Sequence, residues 1–468
     1  MQTSQELRSL GKITYPTIFT GALLFSKSII SVLFLSHLGF LELAGGSFAI
    51  SFANISGHSI MKGLSMAMEP ICCQAYGAKR WSILTQTHNK TVILLLIAAI
   101  PIIALWLAME PILLWSGQDR EFTEIVEEYI TYAIFELLAQ AYLNVLKNFI
   151  RSQSITTPIY VSAIIAIILH GPINYLLTIT LKLGVKGVAL STGLCSLNMI
   201  IGILVYLYKS DSTLKPWDRT TGTGSSHGWK PLLGSALPST FSVSLEWWWY
   251  EIMLLICSRL NNPQANIATM GIVMQLTGLL YVIPHSLSLG MSTCIGNELG
   301  ADQPAKAKKI AVIGIAAAFG LGIMASVVTF VLKEKLGKLY TKEQEILKMI
   351  SEVLPLLGLC EIGNFPQTTA TGILRGSARQ DVVAYIHFSS FYVIGLPIAL
   401  VASFVFKMGF IGPWIGHAAA QVSCVVIMLY ILVRTNWEDQ ARKAKELTRE
   451  TASEVNDAEV NLLEDDPT

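Results

Sequence analysis

Two stretches of this chain place carboxylic acids inside otherwise apolar sequence: Leu245-Glu246-Trp247-Trp248-Trp249-Tyr250-Glu251 and Leu359-Cys360-Glu361-Ile362-Gly363-Asn364-Phe365-Pro366-Gln367. Ionisable groups in hydrocarbon are expensive and mark ion or substrate paths, or partners already satisfied. Glu246 follows about 14 residues of predicted span, roughly 20 Å of helix, so it is expected near the bilayer middle. Desolvation there favours the neutral acid, which lets a proton gradient load and unload it. A permanently neutral or cation-paired structural glutamate is the other reading of the same position. Glu251 stands five residues on, about 140° around the helix, so it does not share the face of Glu246 and is a secondary cavity residue.

Trp247, Trp248 and Trp249 are unusual at mid-depth, because tryptophan favours the membrane interfaces. Trp247 and Trp248 are candidates to line a cavity and stack on an aromatic or cationic solute; each could equally fill space between helices. Glu361, Asn364 and Gln367 recur every three residues and form one polar stripe. Pro366 removes a backbone donor beside it, which favours a cavity there. In the first half Glu69 reads as structural, capping or pairing near the Lys79-Arg80 loop, and Glu136 lies deeper. Lys27, Lys62, His170 and His285 are further polar insertions, and Arg151 and Arg375 are expected to hold gate loops.

The elements that must hold these groups follow from composition. Of 468 residues, 52% are hydrophobic and 14% charged, about half the roughly 25% charge of a soluble domain. The net charge of +1 gives no field for nucleic acid. No GxxxxGK[ST], GxSxG or HExxH segment occurs, and the seven cysteines sit in apolar runs without disulfide or zinc spacing. Neither an enzyme, a metal site nor a resident cofactor is expected. Residues 1–12 show no signal-peptide or transit-peptide pattern.

Apolar windows predict twelve spans, near 13–36, 45–68, 91–115, 126–149, 158–180, 187–208, 232–257, 267–291, 310–332, 350–373, 382–406 and 410–433. They divide the chain into a cytosolic N-terminus (1–12), a six-helix lobe (13–208), a Gly/Ser/Thr/Pro-rich cytosolic linker (209–231), a second six-helix lobe (232–434) and an acidic, disordered cytosolic tail (435–468). Within that tail Leu462-Leu463 behind Glu459 faintly resembles a dileucine sorting signal. Lysine and arginine favour the side holding both termini, which places the termini in the cytosol. The run Lys333, Lys335, Lys338, Lys342, Lys348 is the exception.

The halves repeat. Pro16 and Ser36-His37-Leu38 match Pro238 and Ser258-Arg259-Leu260 at an offset of 222. The offset is 223 between Gln74–Ala78 and Asn297–Ala301, 224 between Arg151 and Arg375, and 225 between Gly184, Gly187 and Gly409, Gly412. Turns and charges, not interchangeable leucines, carry the match. An even number of spans per half makes the repeats parallel, an arrangement that suits alternating access about an interface between halves.

The segments Ser36-His37-Leu38-Gly39, Leu41-Glu42-Leu43-Ala44-Gly45 and Glu69-Pro70-Ile71-Cys72-Cys73-Gln74-Ala75-Tyr76-Gly77-Ala78 resemble first-half signatures of the multidrug and toxic compound extrusion (MATE) transporters. Glu246-Trp247-Trp248, Asn297-Glu298-Leu299-Gly300-Ala301 and Gly372-Ile373-Leu374-Arg375-Gly376-Ser377 resemble the second-half ones, and the match runs from Thr14 to Arg434, nearest to plant detoxification-type members. The resemblance implies an all-α polytopic fold of twelve helices in two six-helix lobes. It also implies efflux of small organic solutes against inward protons, with Glu246 binding proton or substrate. One departure matters: relatives commonly carry an acid eleven positions before the arginine of the tenth-helix signature, where this chain has Asn364, and Glu361 stands nearly one turn earlier as a substitute. Expected partners are a small organic solute, protons and the bilayer, with the chain acting as a monomer in the plasma, vacuolar or endosomal membrane. A lipid or lipid-linked flippase is the alternative.

Overall fold

The computed structural model describes residues 2–210 and 229–449, and every regular element among them is helical. Six helical units fill the first half. These are α1 (Gln2–Leu38), α2 (40–77, interrupted by a π turn at Asn54–His58 and a break at Ala67), α3 (Trp81–Leu107, continued by Met109–Trp115), α4 (Arg120–Ser152), α5 (Thr157–Thr180) and α6 (Val185–Lys209). Six more follow in the second: α7 (Trp229–Cys257), α8 (Pro263–Gly300), α9 (Pro304–Val331), α10 (Gln344–Gly376), α11 (Gln380–Val405) and α12 (Ile411–Val433).

All twelve predicted windows fall on these units. Eight of the described helices (α1, α3, α5, α6, α8, α9, α11 and α12) are long and apolar enough to cross a membrane. The other four have a physical reason for falling short: α2, α4, α7 and α10 carry Lys62, Glu69, Glu136, Lys147, Glu246 and Glu361. Every candidate site residue lies on these four polar helices. In each half one of them is central, α4 packing on α2, α3 and α6, and α10 on α8, α9 and α12.

The backbone repeats with the drift seen in the sequence. Left-handed residues end helices at matched places: Lys79 (φ 57°) and Asp302 (φ 59°), Ser154 (φ 60°) and Ala378 (φ 58°), Lys182 (φ 54°) and Lys407 (φ 53°), Gly184 (φ 58°) and Gly409 (φ 59°). Their offsets are 223, 224, 225 and 225. Three of the four pairs are closed by side-chain-bearing residues, a conformation such residues adopt only where the fold imposes it. The π turns Leu176–Thr180 and Val401–Val405 also correspond at 225. A Cβ on Gly187 would lie 2.9 Å from the Thr178 Cα, and one on Gly412 would lie 2.7 Å from the Ser403 Cα, so the same close helix approach is built twice.

The described chain forms two compact units whose bounds differ from the expected lobes. One contains the chain up to Thr14 with Phe241–Ala444; the other contains Tyr15–Thr240 and the chain from Lys445 onward. The expected N-terminal segment 1–12 is therefore no separate arm: it is the start of α1, with Leu10 buried beside Leu287 and Met291. The expected tail is also corrected. Residues 437–449 are a helix, because Trp437, Ala441 and Ala444 recur at helical spacing and bury against Leu10, Leu299 and Ala307. Residues 211–228 of the linker and 450–468 of the tail, with the dileucine-like pair, lie outside the described residues. All seven cysteines are buried and unbridged.

Candidate functional site

In the second half the polar groups converge from four elements. Glu246, on α7, accepts a hydrogen bond from the Tyr281 hydroxyl of α8 at 3.1 Å, and Tyr281 stacks on His285 one turn later, ring centroids 5.4 Å apart. On α10, Asn364 donates to Glu361 at 2.9 Å and accepts from Thr368 at 3.2 Å. Gln367 donates to Nε2 of His387 at 3.0 Å, and Nδ1 of His387 reaches the Ser242 carbonyl at 2.9 Å. That pairing makes His387 a neutral imidazole with its proton on Nδ1. Tyr250 stands within electrostatic reach of both Glu246 and Glu361, which brings the two acids into one neighbourhood.

The stripe is more enclosed than its sequence suggests. Glu361, Asn364 and Gln367 are at most 2% exposed, bonded to neighbouring side chains instead of facing open space, with the Gln367 Oε1 left buried without a partner. The backbone beside Pro366 is covered as well, since a Cβ on Gly322 of α9 would lie 2.8 Å from the Glu361 carbonyl. Glu246, Trp247 and Trp248 are only half-buried. Of the three tryptophans, Trp249 is the structural one: fully buried, it donates to Nδ1 of His417 at 2.9 Å and packs against Phe391. Glu251 is half-buried and joins none of these hydrogen bonds. Tyr281, His387 and His417 went unread in the sequence, since a lone aromatic or histidine in an apolar run has no spacing to mark it.

The first half treats its acids differently. Glu136 of α4 forms an ion pair with Lys27 of α1 at 2.5 Å, and His58, at the end of the π turn in α2, lies within electrostatic reach of both. Trp106 fixes that turn: it donates to Ser56 at 2.9 Å and fills the space where a Gly57 Cβ would stand. Glu69 pairs with Arg151 at 3.3 Å, not with the Lys79-Arg80 loop; Arg80 bonds the Thr448 carbonyl instead. Arg151 also donates to Asn148, which donates to the Ser65 carbonyl at 2.8 Å. Arg151, expected to hold a gate loop, is thus one member of a buried network. Arg375, its counterpart at the end of α10, is likewise buried.

The MatE family model matches the chain twice, over residues 16–176 and 238–401, so its two copies start 222 and end 225 residues apart. DETOXIFICATION 53 of Arabidopsis thaliana is 48% identical over 452 residues, covering 97% of this chain and 93% of that protein. DETOXIFICATION 48 of the same plant is 47% identical over 447 residues, covering 96% and 84%. Among solved structures, the eukaryotic MATE transporter AtDTX14 superposes with a TM-score of 0.89 at 28% identity, covering 96% of this chain and 100% of that one. The Vibrio cholerae MATE transporter VcmN in its bent form gives 0.80 at 17% identity, covering 95% and 99%, a likeness of fold.

Proposed function

The chain belongs to the MatE family of membrane transporters, and from that premise we propose that it expels small organic solutes in exchange for protons by alternating access. The observation that carries this reading is the partnering of Glu246 and Glu361. Each accepts a hydrogen bond from a neutral group, Tyr281 and Asn364 respectively. A carboxylate held by a cation cannot be protonated without stranding the cation, whereas one held by a hydroxyl or an amide gains and loses a proton at little structural cost. Glu361 takes the coupling task that relatives give to the position of Asn364, and Asn364 orients it.

Half-buried Glu246, Trp247 and Trp248 are the groups a solute meets, with Glu251 further along α7. The enclosed stripe of Glu361, Asn364 and Gln367 opens to it during the cycle, and the gradient replaces any resident cofactor. Both termini face the cytosol, the chain works as a monomer, and it resides in the plasma, vacuolar or endosomal membrane. The test is solute movement in proteoliposomes under an imposed pH gradient, with ethidium and benzoate as probes of opposite charge. Wild type moves at least one of them with the gradient, and Glu246→Gln and Glu361→Gln each remove the gradient dependence while leaving the protein folded. Undiminished pH-driven transport in both variants sinks the assignment; accumulation of a spin-labelled phospholipid in one leaflet in place of either probe supports a flippase.

A further inference from the structure

His387 is a buried titratable group to which the two acids leave no task. It ends the α-helical first part of α11, immediately before the π turn Phe388–Gly395, and it bridges three helices. Its Nδ1–H donates to the Ser242 carbonyl of α7 at 2.9 Å, and its Nε2 accepts from the Gln367 amide of α10 at 3.0 Å. Phe391 closes it from the side, edge to face. The amide is only half used: its nitrogen is engaged by His387, while Oε1 is buried with no partner. A buried oxygen without a donor carries its full desolvation cost. The donor that Oε1 lacks is the one that neutral His387 cannot give, a second ring N–H.

We propose that His387 is a third proton-binding residue of the transport cycle, with Gln367 as the positioning residue whose amide turns to hold the added proton. This deepens the transport reading and rests on it. The terminal torsion of glutamine has two wells a half-turn apart, so Oε1 and Nε2 exchange places without moving a helix. An imidazole that takes a proton on Nε2 donates at both nitrogens. Nδ1–H then stays on Ser242 and Nε2–H meets the turned Oε1, in a charge-assisted bond stronger than the neutral one it replaces. The charges within reach of the ring are Glu246 of α7, opposite in sign to an imidazolium, and Arg375 of α10, like in sign. Glu361 of α10 is bonded to Asn364. From α12 come His417, which accepts from Trp249 at Nδ1, and Cys424, a buried thiol; Asp381 and Tyr385 of α11 itself lie on its exposed side. The enclosed arrangement is the unloaded one. When the stripe opens to water His387 takes its proton, and ionised Glu246 supplies the counter-charge that a buried cation requires.

The experiment is nitrogen NMR of the histidine-labelled, full-length chain in lipid nanodiscs, beside the proteoliposome assay with a pH dye inside the vesicles. The His387 signal is identified by its absence from His387→Asn, which keeps a donor for Ser242 and cannot ionise, or from His387→Gln should the first variant fail to accumulate. In wild type that signal passes from the Nδ1–H tautomer to the imidazolium between about pH 8 and pH 5, the range over which histidine changes charge. Gln367→Leu, which has no acceptor, removes the passage, and Gln367→Glu, which keeps one, retains it. In vesicles His387→Asn carries one proton fewer per solute than wild type. A signal that stays the neutral tautomer throughout, or a proton count and pH profile in His387→Asn that superpose on wild type, overturns the proposal. If the histidine never titrates while Glu246→Gln and Glu361→Gln remove the gradient dependence, the transport reading stands without it. Titration of His387 with coupling intact in both acid variants does the reverse, upholding the histidine and removing the acids.

Discussion

The two halves of this molecule build the same helix crossing from different materials. In the first, α2 meets α4 through side chains: Asn148 donates to the Ser65 carbonyl and Arg151 pairs with Glu69. In the second, the corresponding crossing of α8 and α10 is backbone against backbone. Asn148 has become Gly372, whose absent Cβ would stand 2.1 Å from the Ser288 carbonyl, and Ser152 has become Gly376, where it would stand 2.5 Å from the Ser292 carbonyl. Ser288 and Ser292 are the counterparts of Ser65 and Glu69 at 223. One half therefore uses a buried acid and base as structural fasteners; the other needs none, and its acids hydrogen-bond to neutral groups.

That contrast can be broken at its strongest point first. Gly372→Leu should abolish accumulation of folded protein, because the atom it strikes is backbone and cannot swing aside; recovery by size-exclusion chromatography reads this directly. The reciprocal Asn148→Gly should cost only about 1–3 kcal/mol, one hydrogen bond plus a helix glycine. Normal recovery of the leucine variant would show that the second crossing is looser than it stands.

Next in size is Arg151→Met, which breaks the buried pair with Glu69 and should lower stability by about 3–5 kcal/mol. Adding Glu69→Gln should restore most of the loss of thermal midpoint in detergent. Under the same assay Glu246→Gln should move the midpoint little, since no cation depends on it. A large shift there would make Glu246 a fastener like Glu69.

The smallest effect is expected from Tyr281→Phe. It removes one hydrogen bond to Glu246, worth about 1 kcal/mol, so transport should slow severalfold and the pH at half-maximal rate should shift while folding is unchanged. A pH profile that superposes on wild type would remove Tyr281 from the coupling site.

Much of the fold was legible in the sequence, because a duplicated chain states its turns twice: the offsets among Gln74, Arg151 and Gly184 reappear in the left-handed caps. Glu246, Glu361 and Asn364 were legible because acids and amides in apolar spans are rare. Their partners were not. Lys27 and Glu136 stand 109 residues apart and Arg151 and Glu69 stand 82, distances over which local periodicity says nothing. Tyr281 and His387 looked like ordinary members of apolar helices until packing placed them against Glu246 and Gln367. The helix 437–449 was missed for the opposite reason: its net composition is polar, and three inward positions were enough to dock it.

The π turns divide into a pair that the halves share and two that they do not. Leu176–Thr180 and Val401–Val405 occupy equivalent places, so this wide turn belongs to the repeat itself. Those at Asn54–His58 and Phe388–Gly395 correspond to unbroken α-helix in the opposite half, around residues 277–281 and 163–170. A π turn widens the helix locally, redirects the side chains beside it and recurs at functional sites. The two unshared ones end at His58 and begin beside His387, so each half aims a histidine of its own from a helix plan that both halves share.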